Sequence, residues 1–199
     1  MNESYDPNSP MTTTQPSATT TAPLAPMEIT DSDRSAARDL YNTGVALQQQ
    51  GKPGDALDKF QRSVAVLRAP TTQLHIAQCK VALTHVVEGA EDYRAIMNTP
   101  LPSNSPPAFL DAQKTAGQEL AALESRIPHA KIVVTPDRTP GLQIAIDGQA
   151  VNAALVGVPR PIDPGVHKIV AMAPGYLPIE LSFDIKEKEA KDVAVALKR

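Results

Sequence analysis

The spacing of apolar residues in this chain changes once, at Pro128, from a helical period to a strand period. Before that point apolar side chains recur every three to four residues; after it they alternate. A helix buries one stripe and a strand buries one face, so the two patterns cannot share one regular element. The switch predicts an α+β chain in two modules, antiparallel helix hairpins followed by a small antiparallel β-sandwich. A length of 199 residues leaves room for one medium domain or two small ones. The expected division is a tail over 1–30, a helical domain over 31–128 and a β domain over 129–199.

The tail is rich in Thr, Pro and Ser and almost free of large apolar groups. Such a segment cannot bury enough surface to offset its conformational entropy, which predicts disorder and the role of a flexible tether. Five acidic residues and no Lys or Arg precede Arg34, so the negative charge gathers at this end.

In the helical half, Asp31 or Ser32 is expected to cap a first helix carrying Ala37, Leu40, Gly44 and Leu47 on one face. Gly51 stops it. Pro53 opens a second helix with Ala56, Phe60, Val64 and Leu67 on one face, ending before Pro70. Gly44 and Ala56 would let the pair approach closely, with Phe60 filling the space beside them. Reading on by 33 residues gives Ala77, Gly89 and Tyr93 at the corresponding places. A later helix, capped by Ser105 with Pro106 in its first turn, carries the seam Phe109, Ala112, Ala116, Leu120, Leu123, Ile127. It is expected to cover the open end of the helical stack.

The small–small–aromatic set at this period, with Gly51 at the turn and Ala56–Phe60 as the A-x3-F pair, resembles the tetratricopeptide repeat. The first copy departs from the family in having Leu40 where a large aromatic is usual, and the second copy is weaker. The resemblance implies a concave face formed by the first helix of each repeat, used to bind a protein partner. Mapping the family's groove positions onto this chain picks Arg38, Tyr41 and Gln48 from the first repeat and Gln78 from the second; plain surface exposure is the alternative for each.

The β half offers strands over 131–135, 142–146, 166–173, 179–185 and 193–197, with a hairpin turn at Asp147-Gly148 and further turns at Pro164-Gly165 and Pro174-Gly175. Ile146-Asp147-Gly148, the Val158-Pro159 step, Pro164-Gly165-Val166-His167-Lys168-Ile169 and Ala173-Pro174-Gly175-Tyr176 follow one another in the order of the PEGA domain, which this region resembles. Val158 stands where Thr is usual, and the Pro-Glu-Gly-Ala word is absent. The resemblance implies a small β-sandwich of bacterial or archaeal envelope proteins. A repeat module followed by such a domain is similar to exported proteins of Gram-negative bacteria, so the cell envelope or periplasm is the expected location. No signal peptide is visible after Met1, which leaves a cytoplasmic chain as the other reading.

Chemistry-bearing residues are few. Cys79 is the single cysteine, which excludes an internal disulfide and a zinc site of several thiolates. It reads as a buried small residue, with His75 four residues back on the same helix as a contact. His75 and His85 are ten residues apart on one expected helix, about 15 Å along its axis, too far to share a metal. His167 is expected to make a structural hydrogen bond. Asp137, Asp147 and Asp163 fit turn formation, because the spaced calcium-loop pattern is missing. The Glu187–Lys191 charge cluster reads as a solvent-exposed hairpin tip.

No nucleophile elbow, phosphate loop or metalloprotease motif occurs, so the expectation is a protein that is not an enzyme and uses no cofactor. A net charge of −3 suggests no nucleic-acid partner. Trp is absent, with four Tyr and three Phe, which weakens a glycan-binding reading. No run of about 20 apolar residues is present, so no transmembrane segment is expected. The leading expectation is a non-catalytic interaction or scaffold protein whose partner is another protein. A regulatory or sensory accessory module of a signalling system, or a weak glycan-binding module, is the alternative.

Overall fold

The computed structural model describes residues 28–199. Of the expected disordered tail over 1–30, residues 1–27 lie outside the described residues. Among the described residues five helices come first: α1 (Asp31–Gln49), α2 (Pro53–Val66), α3 (Pro70–Ala82), α4 (Val86–Asn98) and α5 (Pro107–Glu124). Seven strands follow: β1 (His129–Thr135), β2 (Gln143–Ile146), β3 (Gln149–Val151), β4 (Arg160–Pro161), β5 (Gly165–Met172), β6 (Ile179–Ile185) and β7 (Ala190–Ala196). The chain is therefore α+β, with a helical N-terminal module and a β C-terminal module. Among the described residues, no helix is long and apolar enough to cross a membrane.

Local chemistry sets the helix ends. Thr30 caps α1, one residue before the expected Asp31 or Ser32. Its hydroxyl accepts from the Asp33 N–H at 3.1 Å, and the Asp33 carboxylate accepts from the Thr30 N–H at 2.9 Å. This reciprocal pair satisfies two donors that a helix start leaves open. Prolines open α2, α3 and α5, where a missing N–H costs nothing. In α5 the cap is Pro106 and the first helical residue is Pro107, one position later than the expected Ser105 and Pro106.

Each helix packs against the next in chain order; α1 also touches α3, and α3 touches α5. Gly44 makes the first hairpin close: a Cβ there would stand 2.7 Å from the Phe60 ring. Phe60 and Ala56 are fully buried, and the buried Ser63 hydroxyl donates to the Ala37 carbonyl at 2.8 Å. The second hairpin repeats the device, since a Cβ on Gly89 would meet Val81 at 2.5 Å and Tyr93 is buried. Ala116, Leu120, Leu123 and Ile127 join Ala77, Ala90, Tyr93 and Ile96 in one cluster, which α5 closes.

The strands form two sheets, ordered β4-β1-β7 and β3-β2-β5-β6. Their inner faces share one core, with Ile132 and Val195 from the first sheet meeting Ile144, Ile169 and Ile185 from the second. Every pairing is antiparallel except β1 with β7, which run parallel over the full register His129↔Ala190 to Thr135↔Ala196. The expectation of an antiparallel sandwich is corrected at that pair. The first and last strands of the module have the whole second sheet between them in sequence, so no hairpin forces them antiparallel. Asp147 and Gly148 form the two-residue β2–β3 turn, with φ of 50° and 80°, as such hairpins require.

The Glu187–Lys191 stretch is largely exposed, as expected, but is no hairpin tip. It carries the chain from β6 in one sheet to β7 in the other and meets the end of the helical module. The Arg126 guanidinium engages the Glu187 carboxylate through Nε, at 3.0 Å, and Nη2, and the Lys188 N–H donates to the Arg126 carbonyl at 2.8 Å. A second joint lies at α4. His85, its N-cap residue, makes no side-chain cap bond. The cap comes instead from the β module, where the Asp163 carboxylate accepts from the Val87 N–H at 2.8 Å.

Two outcomes test this packing. Phe60→Ala should lower stability by about 3–5 kcal/mol in urea unfolding. A loss under about 1 kcal/mol would show that the ring is not the core of the first hairpin. Asp163→Ala should cost about 1 kcal/mol and raise amide exchange at Val87, while Asp163→Asn keeps an acceptor and most of the protection. Unchanged exchange at Val87 in the alanine variant would remove the cap from the account.

Candidate functional site

Residues seven apart on a helix lie two turns apart on nearly one face. Tyr41 and Gln48 on α1 are so related, and α3 places His75 and Gln78 opposite them. The side chains join into one hydrogen-bonded line. The Tyr41 hydroxyl lies 3.2 Å from His75 Nε2, and His75 Nδ1 lies 2.8 Å from Gln48 Oε1. Gln48 Nε2 donates to Gln78 Oε1 at 3.4 Å, and Gln78 Nε2 donates to Glu119 Oε1 on α5 at 2.8 Å. The other carboxylate oxygen of Glu119 accepts from the Tyr93 hydroxyl on α4 at 2.6 Å. These partners assign the proton of His75 to Nδ1, which donates to Gln48, with Nε2 accepting from Tyr41.

His75 is also packed. Its ring stacks on Phe60 with centroids 4.9 Å apart and planes 10° from parallel, and Tyr41 meets it edge-on at 5.5 Å. Burial pushes its pKa below the ordinary histidine value, which favours the neutral ring that the line needs. Burial, and then Glu119, hold the Tyr93 proton well above the usual phenol range.

Two clefts flank the line. One, of about 540 Å³, opens between the ends of α3 and α5 and the β6–β7 turn, with Gln78, Val81, Tyr93, Glu119, Arg126 and Glu187 on its walls. The other, of about 450 Å³, lies at the opposite end, lined by Arg38, Tyr41, Leu67, Thr72 and Phe109.

The structure thus brings together three of the four groove residues mapped from the sequence, Tyr41, Gln48 and Gln78. Arg38 stands apart: it is exposed on α1 and lines the second cleft without joining the line. His75, Tyr93 and Glu119 were not among the mapped positions. Glu119 has a signal in the sequence, since it stands three residues after Ala116 and four before Leu123. That spacing sets it at the edge of the buried stripe of α5.

The other residues with chemical potential fall elsewhere. His85 is not on the helix of His75, because α3 ends at Ala82 and Thr84 takes a left-handed φ of 67° before α4 begins. Cys79 is fully buried, and burial pushes its thiol up to about 11. His75 spends both ring nitrogens on Tyr41 and Gln48, so it does not act as a base toward that thiol. His167 bridges the Asp147 carboxylate at 2.6 Å and the Asp163 carbonyl at 2.7 Å, a structural role. Asp147 also accepts from the Lys168 N–H at 2.8 Å.

Compared with known proteins, no protein-family model matches the chain and no curated protein matches it.

Cys79 and Tyr93 give a pH dependence with a definite sign. Both groups bind their proton more tightly folded than unfolded. Raising the pH through the unfolded values releases protons from the unfolded chain first, so stability falls. For Cys79 the fall runs from its ordinary 9.0 to about 11. The urea midpoint should drop as the pH rises from about 9 to about 11, and thiol reagents should modify Cys79 slowly at neutral pH until urea unfolds the chain. Rapid modification of the folded chain would contradict the burial of this thiol.

Proposed function

We propose that this chain is a non-catalytic interaction or scaffold protein of the bacterial cell envelope. Its helical module is of tetratricopeptide type, its β module is of PEGA type, and it binds a protein partner along the face shared by α1, α3 and α5. The observation that carries this reading is the half-buried polar line across three helices, open to clefts at both ends. A row of polar groups at fixed spacing, held by its own bonds beside apolar walls, suits an extended peptide lying across it. Small pockets at either end suit its side chains. The envelope location and the accessory role of the β module rest on the two sequence resemblances.

The test uses the full chain immobilised as bait on envelope extract from the source cells, beside the double variant Tyr41→Ala, Gln78→Ala. The expected result is a protein captured by the parent chain and lost from the variant, with the helical circular dichroism of both unchanged. Equal capture by both would move the binding surface away from this face.

A further inference from the structure

We propose that the cleft between α3, α5 and the β6–β7 turn receives a basic side chain, arginine or lysine, presented by an extended segment of the partner protein, with Glu119 as its counter-charge. This inference rests on the groove reading above and names the chemistry that the groove selects.

The charge inventory of the cleft carries the argument. Glu119 is half-buried, and each of its oxygens accepts one bond, from Gln78 at 2.8 Å and from Tyr93 at 2.6 Å. Both donors are neutral. A carboxylate oxygen accepts two bonds, so each keeps a free site. Among the described residues Glu119 forms no ion pair, and Arg126 and Lys80 are committed to other carboxylates. Arg126, on the same cleft, is held by Glu187 through two nitrogens. Lys80 pairs with Asp92 at 2.7 Å and Glu88 at 3.2 Å. The cleft walls therefore carry two carboxylates, Glu119 and Glu187, against one guanidinium, Arg126. A partly desolvated carboxylate without a counter-charge attracts a cation and repels an acidic peptide.

The shape agrees with the charge. Val81, Ala82 and Leu123 supply an apolar wall beside Glu119. Arginine and lysine have a long apolar stem and a charged head, so the stem can lie on that wall while the head reaches the carboxylate. The donors in the line all point toward Glu119, so a cation there completes a series of bonds already aligned.

The test is a chemical-shift titration of the full chain with three blocked tripeptide amides, Leu-Arg-Leu, Leu-Lys-Leu and Leu-citrulline-Leu. Citrulline keeps the shape of arginine and removes its charge. The two basic peptides should perturb Gln78, Tyr93 and Glu119, with the citrulline peptide bound roughly tenfold more weakly. Glu119→Gln should abolish that preference, its amide spectrum remaining that of a folded chain. In the unaltered chain the preference should also shrink as salt rises, which tests the charge without any variant. Equal binding of all three peptides at these residues, or a salt-independent preference, would overturn the proposal and leave the groove reading standing. No perturbation by the basic peptides at any residue of α3 or α5 would overturn the proposal too. Perturbation confined to the β module by all three would remove the groove reading with it.

Discussion

The carboxylate of Asp163 closes the N-terminus of α4 from the opposite module, and that bond ties the start of the helix to a network of turns in the β module. Helix starts leave donors open, and His85 at the cap position leaves them unmet. Asp163 reaches Val87 because its own loop is fixed. His167 holds the Asp163 carbonyl at 2.7 Å and is itself held by Asp147 at 2.6 Å. Asp147 sits where the hairpin turn needs a left-handed residue, which Asp tolerates. A turn in the second sheet is thus connected, through the side chains of Asp147, His167 and Asp163, to a helix in the other module.

The cores are separate, and the joint between them combines the fully buried Pro128 with directional polar bonds. The buried clusters of the helical module end at Ile127, and that of the β module begins at Ala130. Between them the backbone is clamped: Arg126 and Pro128 offer carbonyls to Lys188 and Ile162, and His129 donates to the Glu189 carbonyl. Burial is nondirectional, whereas these bonds are directional. They fix the angle between the modules, and with it the wall that Glu187 contributes to the cleft beside Glu119.

What the sequence revealed depended on how local each signal was. The change of period at Pro128, the Gly44–Phe60 contact, the seam of α5 and the Asp147-Gly148 turn are set by neighbours within a turn or a hairpin, and all are present in the structure. The break between α3 and α4 was hidden, because Leu83 and Thr84 replace the Gly or Pro that usually marks a stop. The parallel pairing of β1 with β7 has no local mark at all, and neither has the docking of Glu187 on Arg126. At the candidate site, Tyr41, Gln48 and Gln78 came from the resemblance to the repeat family and from no local pattern of their own. His75 and Glu119, which connect them, were not legible, because their roles depend on where three helices meet.

The polar line itself limits how a partner can gain affinity on this face. In the free chain its members satisfy one another, so a ligand that inserts among Gln48, His75 and Gln78 must replace bonds already made, at a net gain near zero. The ends are different. Glu119 retains acceptor capacity toward one cleft, and Arg38 is exposed beside Tyr41 and Phe109 at the other. On the groove reading, binding energy gathers at these ends, while the central amides set spacing. The ends also carry opposite charge, the Arg38 guanidinium in the first half of α1 and the Glu119 carboxylate on α5, which pairs with no cation among the described residues. A segment lying across α1, α3 and α5 would therefore meet a different sign at each end, and its charge order, more than its apolar content, would decide which way round it lies.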